Sequence, residues 1–179
     1  MGFLSKGKEK EKEFATLFDN VIYSDKEVDM TEHWDLMIDN VKYDVKGLKR
    51  VNRGDTHHNE FYHVLEIFNV HGKHGWVYGG ADKFAFEINE YWVIVDKTKV
   101  QKLIKERVSK VLVKSMDEAL YALYGRDGRK DRITLVKTID LIIISDEIIS
   151  KKIGIIEHVT GDSIYPEKRV LNKMRNLFK

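Results

Sequence analysis

The stretch from Trp34 to Lys46, Trp-Asp-Leu-Met-Ile-Asp-Asn-Val-Lys-Tyr-Asp-Val-Lys, leaves few choices of local structure. Asp39-Asn40 is a two-residue turn signal, because both residue types tolerate the left-handed backbone of a type I′ turn, and apolar-rich strands flank it. A two-residue loop fixes the register. Ile38 then faces Val41, Met37 faces Lys42, Leu36 faces Tyr43, Asp35 faces Asp44, Trp34 faces Val45 and His33 faces Lys46. With side chains alternating, one face collects Trp34, Leu36, Ile38, Val41, Tyr43 and Val45, and the other His33, Asp35, Lys42, Asp44 and Lys46.

Directly opposed residues have Cβ atoms roughly 4.5–5.5 Å apart, and two carboxylates that close repel each other. A divalent cation offsets the repulsion: Mg²⁺ takes one or two protein carboxylates and completes its shell with water and phosphate oxygens. Lys46 follows Asp44 on the same face, about 6.6–7 Å along the strand, within reach of the same phosphate. A metal to polarise a phosphoryl oxygen and a lysine to orient water are what phosphodiester hydrolysis requires. The plainer reading is a solvated strand face on which Lys42 and Lys46 neutralise Asp35 and Asp44. The opposed carboxylates favour the cation.

Composition bounds the rest. The 179 residues suffice for one domain with a core, and 42% hydrophobic against 34% charged residues describes a globular chain. No apolar run approaches the length of a membrane span, so no membrane association is expected. The chain has no cysteine, which excludes a thiolate zinc site and fits a cytoplasmic, intracellular setting. Its start suits neither a signal peptide nor, with Lys6 where serine or threonine belongs, myristoylation. A formal net charge of +2 excludes a uniformly basic nucleic-acid binder, but the charge is segregated. Residues 25–39 hold six acids and one lysine, and residues 97–114 hold seven basic residues and one glutamate, as suits a metal centre flanked by phosphate-binding surface.

In chain order, the pattern predicts a helix over 8–20 with Phe14, Leu17 and Phe18 inward, a short strand over 21–23 and a polar loop over 24–31. Of Glu9, Glu11 and Glu13, only Glu13 sits one turn from Leu17, where it could lean toward a site or pair with Lys10 or Lys12. After the hairpin comes a loop over 47–59, in which Lys49, Arg50 and Arg53 could contact backbone phosphates. Strands are expected over 63–70 and 91–96, short helices over 81–87 and 116–124, a basic helix over 98–108, and strands over 110–114 and 133–145. Five of the seven histidines fall between residues 57 and 74, but without helical spacing or a cysteine partner they are read as surface groups, not zinc ligands. Gly72-Lys73-His74-Gly75 faintly resembles a GXXG phosphate clamp. Residues 125–132 form a loop in which Arg126, Arg129 and Lys130 could grip a phosphate backbone, or a turn neutralised by its own aspartates. Beyond Asp146 a peripheral helix or turn is expected, and the basic end over 168–179 reads as an amphipathic docking helix.

A helix carrying Glu13, then Asp35, then Asp44-Val45-Lys46 resembles the PD-(D/E)XK nuclease superfamily, over roughly residues 8–108. The motif is short, and Trp34 stands where proline is usual. The resemblance implies an α/β fold with a mixed sheet, a restriction-endonuclease-like αβββαβ core within a single domain and residues 109–179 as decoration. It implies a metal-dependent endonuclease acting on DNA. Asp35 and Asp44 would bind Mg²⁺ or Mn²⁺ with the Val45 carbonyl, Lys46 would position the attacking water, and Glu13 would be an accessory ligand. Such nucleases often act as homodimers, which the 97–108 or C-terminal helix could support. A non-catalytic nucleic-acid-binding protein that keeps the fold is the alternative.

Overall fold

The computed structural model describes residues 3–50, 59–151 and 156–157. Arg53 and the 168–179 segment lie outside them. The fold is mixed α and β, with two mixed sheets and few helices. Its elements are α1 (Phe3–Ala15), β1 (Ile22–Tyr23), α2 (Lys26–Glu32), β2 (Leu36–Ile38), β3 (Val41–Lys46), β4 (Tyr62–Phe68), β5 (Lys83–Ile88), β6 (Tyr91–Asp96), α3 (Lys97–Arg107), β7 (Leu112–Val113), β8 (Leu123–Tyr124), β9 (Arg132–Lys137), α4 (Thr138–Ile143), β10 (Glu147–Ser150) and β11 (Ile156–Glu157). One sheet has seven strands in the order β1-β2-β3-β5-β6-β10-β11; the other has four, β4-β9-β8-β7. Among the described residues, no helix is long and apolar enough to cross a membrane.

The seven-stranded sheet is covered on both faces. On one side Phe14 of α1, fully buried, meets Trp92 and Tyr43 at ring distances of 5.2 and 5.7 Å, above Leu36, Ile38, Val45 and Ala85. On the other side Phe84, Phe86, Val93 and Val95 pack against Leu65 and Ile67 of β4, Val136 of β9 and Val100, Leu103 and Ile104 of α3. β5 and β6 are therefore buried on both faces, and such strands lose the polar alternation that marks a half-exposed one. That is why residues 81–87, expected as a helix, form β5 instead. The parallel neighbour of β3 is thus reached through β4 and a 3-10 turn at Trp76–Tyr78 rather than through a helix.

Other expectations shift for local reasons. Residues 24–31 contain α2, because the Asp25 carboxylate accepts the Val28 N–H at 2.8 Å and caps a seven-residue helix. The helix expected over 116–124 is a 3-10 turn at Met116–Glu118 followed by β8, and its exit is set by Tyr121 in the left-handed region. Residues 133–145 split into β9 and α4, and the segment after Asp146 is β10, paired along β6 inside the large sheet.

The hairpin forms with the expected turn. Asp39 and Asn40 have φ of 48° and 65°, and Leu36, Met37 and Ile38 pair with Tyr43, Lys42 and Val41. The ladder stops there. The Asp35 N–H donates to the Tyr43 carbonyl at 2.8 Å, one residue short of ideal pairing, so β2 bulges at its start. One extra residue reverses the parity of everything before it. Trp34 consequently packs with the Leu65 and Trp76 cluster rather than beside Leu36, and the Lys42 ammonium lies 5.0 Å from its ring. The expected pairings of Asp35 with Asp44, Trp34 with Val45 and His33 with Lys46 are all lost with the bulge, because Asp35 now shares Tyr43 with Leu36.

Candidate active site

The bulge does not separate the carboxylates. Asp35 Oδ2 accepts the Val45 N–H at 2.6 Å, and Asp35 is close enough to Asp44 for that carboxylate to help raise its pKa. Asp44 is buried, its side chain 2% exposed, with Oδ1 2.5 Å from Lys46 Nζ and Oδ2 without a hydrogen-bond partner among the described residues. Together with Asp29, His33, Glu66 and Trp76 these residues line a pocket of about 120 Å³.

Two sheets and one helix end build it. β3 presents Asp44 and Lys46 toward the second sheet; β4 contributes Glu66 between the buried Leu65 and Ile67; α2 ends at His33, whose φ of 58° turns the chain back toward β2. The fourth wall is Trp76. A Cβ at Gly75 would fall 2.2 Å from the Glu66 carbonyl oxygen, and one at Gly79 2.7 Å from His33 Cβ. Glycine at both positions lets the 3-10 turn pass between β4 and α2 and set the indole against Lys46, whose Nζ is 4.4 Å from the ring centre.

The electrostatics follow from burial. Asp35 is pushed up to about 7, by desolvation first and by Asp44 second, although Lys46 opposes the rise. Burial also disfavours the Lys46 charge, but Asp44 and Asp35 outweigh it and its pKa is raised, so it remains an ammonium. Glu66 is raised, chiefly by desolvation. Lys49 is exposed as a residue, but crowding around its ammonium and the nearby Lys46 lower its pKa.

The carboxylate of α1 that belongs to this field is Glu11. It is pushed up to about 7 by burial and then by Asp35 and Asp29. Glu13, expected in that role, is held elsewhere: Lys10 lies 2.7 Å and Lys151 3.2 Å from its carboxylate, in a cluster that closes on the buried Glu87. Glu11 and Glu13 are two residues apart on a helix and so do not share a face. Of the two readings open for Glu13, the pairing with Lys10 is the one found.

Of the expected phosphate contacts, Lys49 and Arg50 are exposed directly after β3. Arg126 is tethered, its Nε donating to the buried Asp131 at 2.7 Å. Arg129 and Lys130 are exposed at the tip of the same turn. Glu66 and Trp76 were not legible as pocket residues; the glycines around Trp76 were the only signal that backbone had to pass closely there.

Among the described residues, no three His, Asp or Glu side chains gather as a ready-made metal cage. The donor set is nevertheless one that a hard cation uses: two adjacent carboxylates, one with an orphaned buried oxygen, facing an accessible pocket that admits water and phosphate. No family model, curated protein or solved structure matches the chain.

Proposed function

We propose that the pocket hydrolyses phosphodiester bonds of DNA, as an endonuclease of restriction-endonuclease-like fold. The observation that carries this reading is the buried Asp44, whose unpartnered Oδ2 sits beside an Asp35 that burial has pushed up to about 7. Asp35, Asp44 and the Val45 carbonyl would hold Mg²⁺ or Mn²⁺. Bound there, the cation supplies charge to polarise a phosphoryl oxygen and acidify a water.

The chain's own residues then have distinct tasks. Lys46, kept as an ammonium by Asp44 and Asp35, cannot serve as a base; it donates hydrogen bonds to the phosphate oxygen and fixes the attacking water. The water oxygen forms the new P–O bond while the bond to the leaving sugar oxygen breaks, and that oxygen takes a proton from solvent. The water's proton passes to a carboxylate, for which Glu11, raised to about 7 and coupled to Asp35, and Glu66, which lines the pocket, are the candidates outside the ligand pair. Trp76 closes the site behind Lys46, and Lys49 and Arg50 meet the flanking phosphates.

A second reading has its own support. Lys46 already neutralises Asp44, and the Val45 N–H already occupies Asp35 Oδ2, which suits a non-catalytic nucleic-acid-binding protein. Two measurements separate them. Mn²⁺ titrated calorimetrically should bind the wild type and not Asp35→Asn, and Mg²⁺-dependent cleavage of linear, single-stranded or branched DNA should vanish in Asp44→Asn. Cleavage that persists in Asp44→Asn sinks the assignment; DNA binding without cation binding or product selects the second reading.

A further inference from the structure

Beside the pocket, two turns meet in a lobe that is both basic and aromatic. The first, residues 69–74, is rigidly built: the Asn69 side chain accepts the N–H groups of His71 and Lys73 at 3.0 and 3.1 Å, and the Gly72 N–H donates to the Asn69 carbonyl at 2.8 Å. The second, residues 126–130, is anchored by Arg126 on Asp131 and docks on the first. The Lys130 N–H reaches the Val70 carbonyl at 3.4 Å, and the Lys130 side chain lies close over Gly72, whose positive φ of 77° and missing Cβ allow the approach.

What this lobe exposes is unusual in combination. Phe68, His74 and Tyr78 are exposed and joined edge to face, with ring distances of 5.9 Å from Phe68 to His74 and 5.0 Å from His74 to Tyr78. The two docked turns also carry Lys73, Arg129 and Lys130, exposed and, among the described residues, in no salt bridge. Asp127 is the only acid in residues 69–74 and 125–130. The lobe and the pocket share two elements. Phe68 follows the pocket's Glu66 by two residues on β4, across a bulge at Ile67, and Tyr78 follows the pocket's Trp76 by two in the 3-10 turn.

We infer that this lobe is a binding ledge for single-stranded DNA, with unpaired bases stacking on the Phe68, His74 and Tyr78 rings and backbone phosphates meeting Lys73, Arg129 and Lys130. Aromatic rings reward only bases whose faces are open; in a duplex those faces are covered by neighbouring pairs, and the cations alone would act. The ledge therefore selects a tail, flap or melted segment and lays it across the mouth of the pocket. Its placement as a substrate track rests on the nuclease reading, but the binding itself does not.

The test is fluorescence anisotropy in EDTA, which removes cleavage, with a labelled oligothymidylate and a duplex of the same length. The wild-type protein should bind the single strand more tightly, on the order of tenfold. Phe68→Ala/Tyr78→Ala should remove that preference and leave duplex affinity unchanged, whereas Lys73→Ala/Lys130→Ala should lower both affinities and flatten the salt dependence. Photo-cross-linking of a bromouracil-substituted strand to the wild-type protein should mark Phe68, His74 or Tyr78, which covers the case of a double variant that folds poorly. Equal or tighter binding of the duplex, an unchanged preference in the aromatic variant, or cross-links mapping elsewhere would overturn the ledge. A protein that shows the preference yet cleaves nothing loses only the nuclease reading; one that cleaves without it loses only the ledge.

Discussion

The Lys46 ammonium lies 4.4 Å from the centre of the Trp76 ring while its other side touches Asp44 at 2.5 Å, so it is held between a π face and a buried carboxylate. A desolvated cation–π contact is worth about 2 kcal/mol, comparable to a charge-assisted hydrogen bond, so the indole is a second anchor and not mere packing. Trp76 also lines the pocket, which makes it a positioning residue for Lys46.

Replacement of Trp76 by leucine should therefore loosen Lys46 and lower DNA cleavage on the order of tenfold, whereas Trp76→Phe, which keeps a ring face, should recover most of the loss. The leucine variant also leaves a cavity costing roughly 2–4 kcal/mol, so rates are compared under conditions where both variants remain folded. The decisive readout is the Lys46 side-chain titration by carbon NMR. Its pKa should fall in Trp76→Leu and stay near the wild-type value in Trp76→Phe. An unmoved titration would reduce Trp76 to a wall.

The two glutamates of α1 make opposite predictions. Glu11→Gln removes a group coupled to Asp35, and cleavage should drop by about a hundredfold, the usual scale for a lost general base. Glu13→Gln disturbs contacts of a part-exposed Glu13 with Lys10 and the mostly buried Lys151, both of which keep Glu87 as a partner, so activity should stay within about twofold and stability should change by less than ~1 kcal/mol. Steady-state cleavage and thermal melts on both variants suffice, and the reverse pattern would return the accessory role to Glu13.

These contrasts indicate what local pattern can encode. The Asp39-Asn40 turn and the Leu36-to-Tyr43 register were legible because both depend on neighbouring residues alone. The bulge at Asp35 was not, since it arises when the carboxylate takes the Val45 N–H that a regular ladder would use. With it went the placement of Trp34. Likewise β5 hid as a helix because Phe84, Ala85, Phe86 and Glu87 are all buried and show no period. Asp35, Asp44 and Lys46 could be named from one hairpin. Glu66 and Trp76 come from residues 20 or more positions away, brought in by a second sheet that nothing in the hairpin announces.

His63 gives a separate handle on stability. It is buried against Phe86, its Nε2 has no partner, and desolvation lowers its pKa to about 4. Between about 4 and its ordinary value of 6.5 the unfolded chain binds more protons than the native one, so this residue's contribution is intact above pH 6.5 and lost as pH falls toward 4. The accumulated loss approaches about 3 kcal/mol. His63→Phe, which cannot protonate, should flatten the acid limb of a urea-denaturation series by that order. A limb of unchanged slope would place the acid sensitivity elsewhere.

Asp35 works in the opposite sense, and cation binding is linked to it. Raised to about 7, its carboxyl keeps in the native state a proton that the unfolded chain releases near 4, so its contribution is fully present below about pH 4 and declines as pH rises toward 7. Glu11, also near 7, adds to the same decline. Above that window the native state holds a buried, repelling Asp35–Asp44 pair, which is the form the proposed divalent cation would bind. Mn²⁺ should accordingly raise the melting temperature strongly at pH 8 and little at pH 5, where protons compete for the same oxygens. Asp35→Asn, which cannot ionise, should be more stable than the wild type at pH 8 without metal and should gain little from Mn²⁺ at either pH. A Mn²⁺ effect of equal size at both pH values, or one retained in Asp35→Asn, would mean that the cation binds somewhere other than this pair.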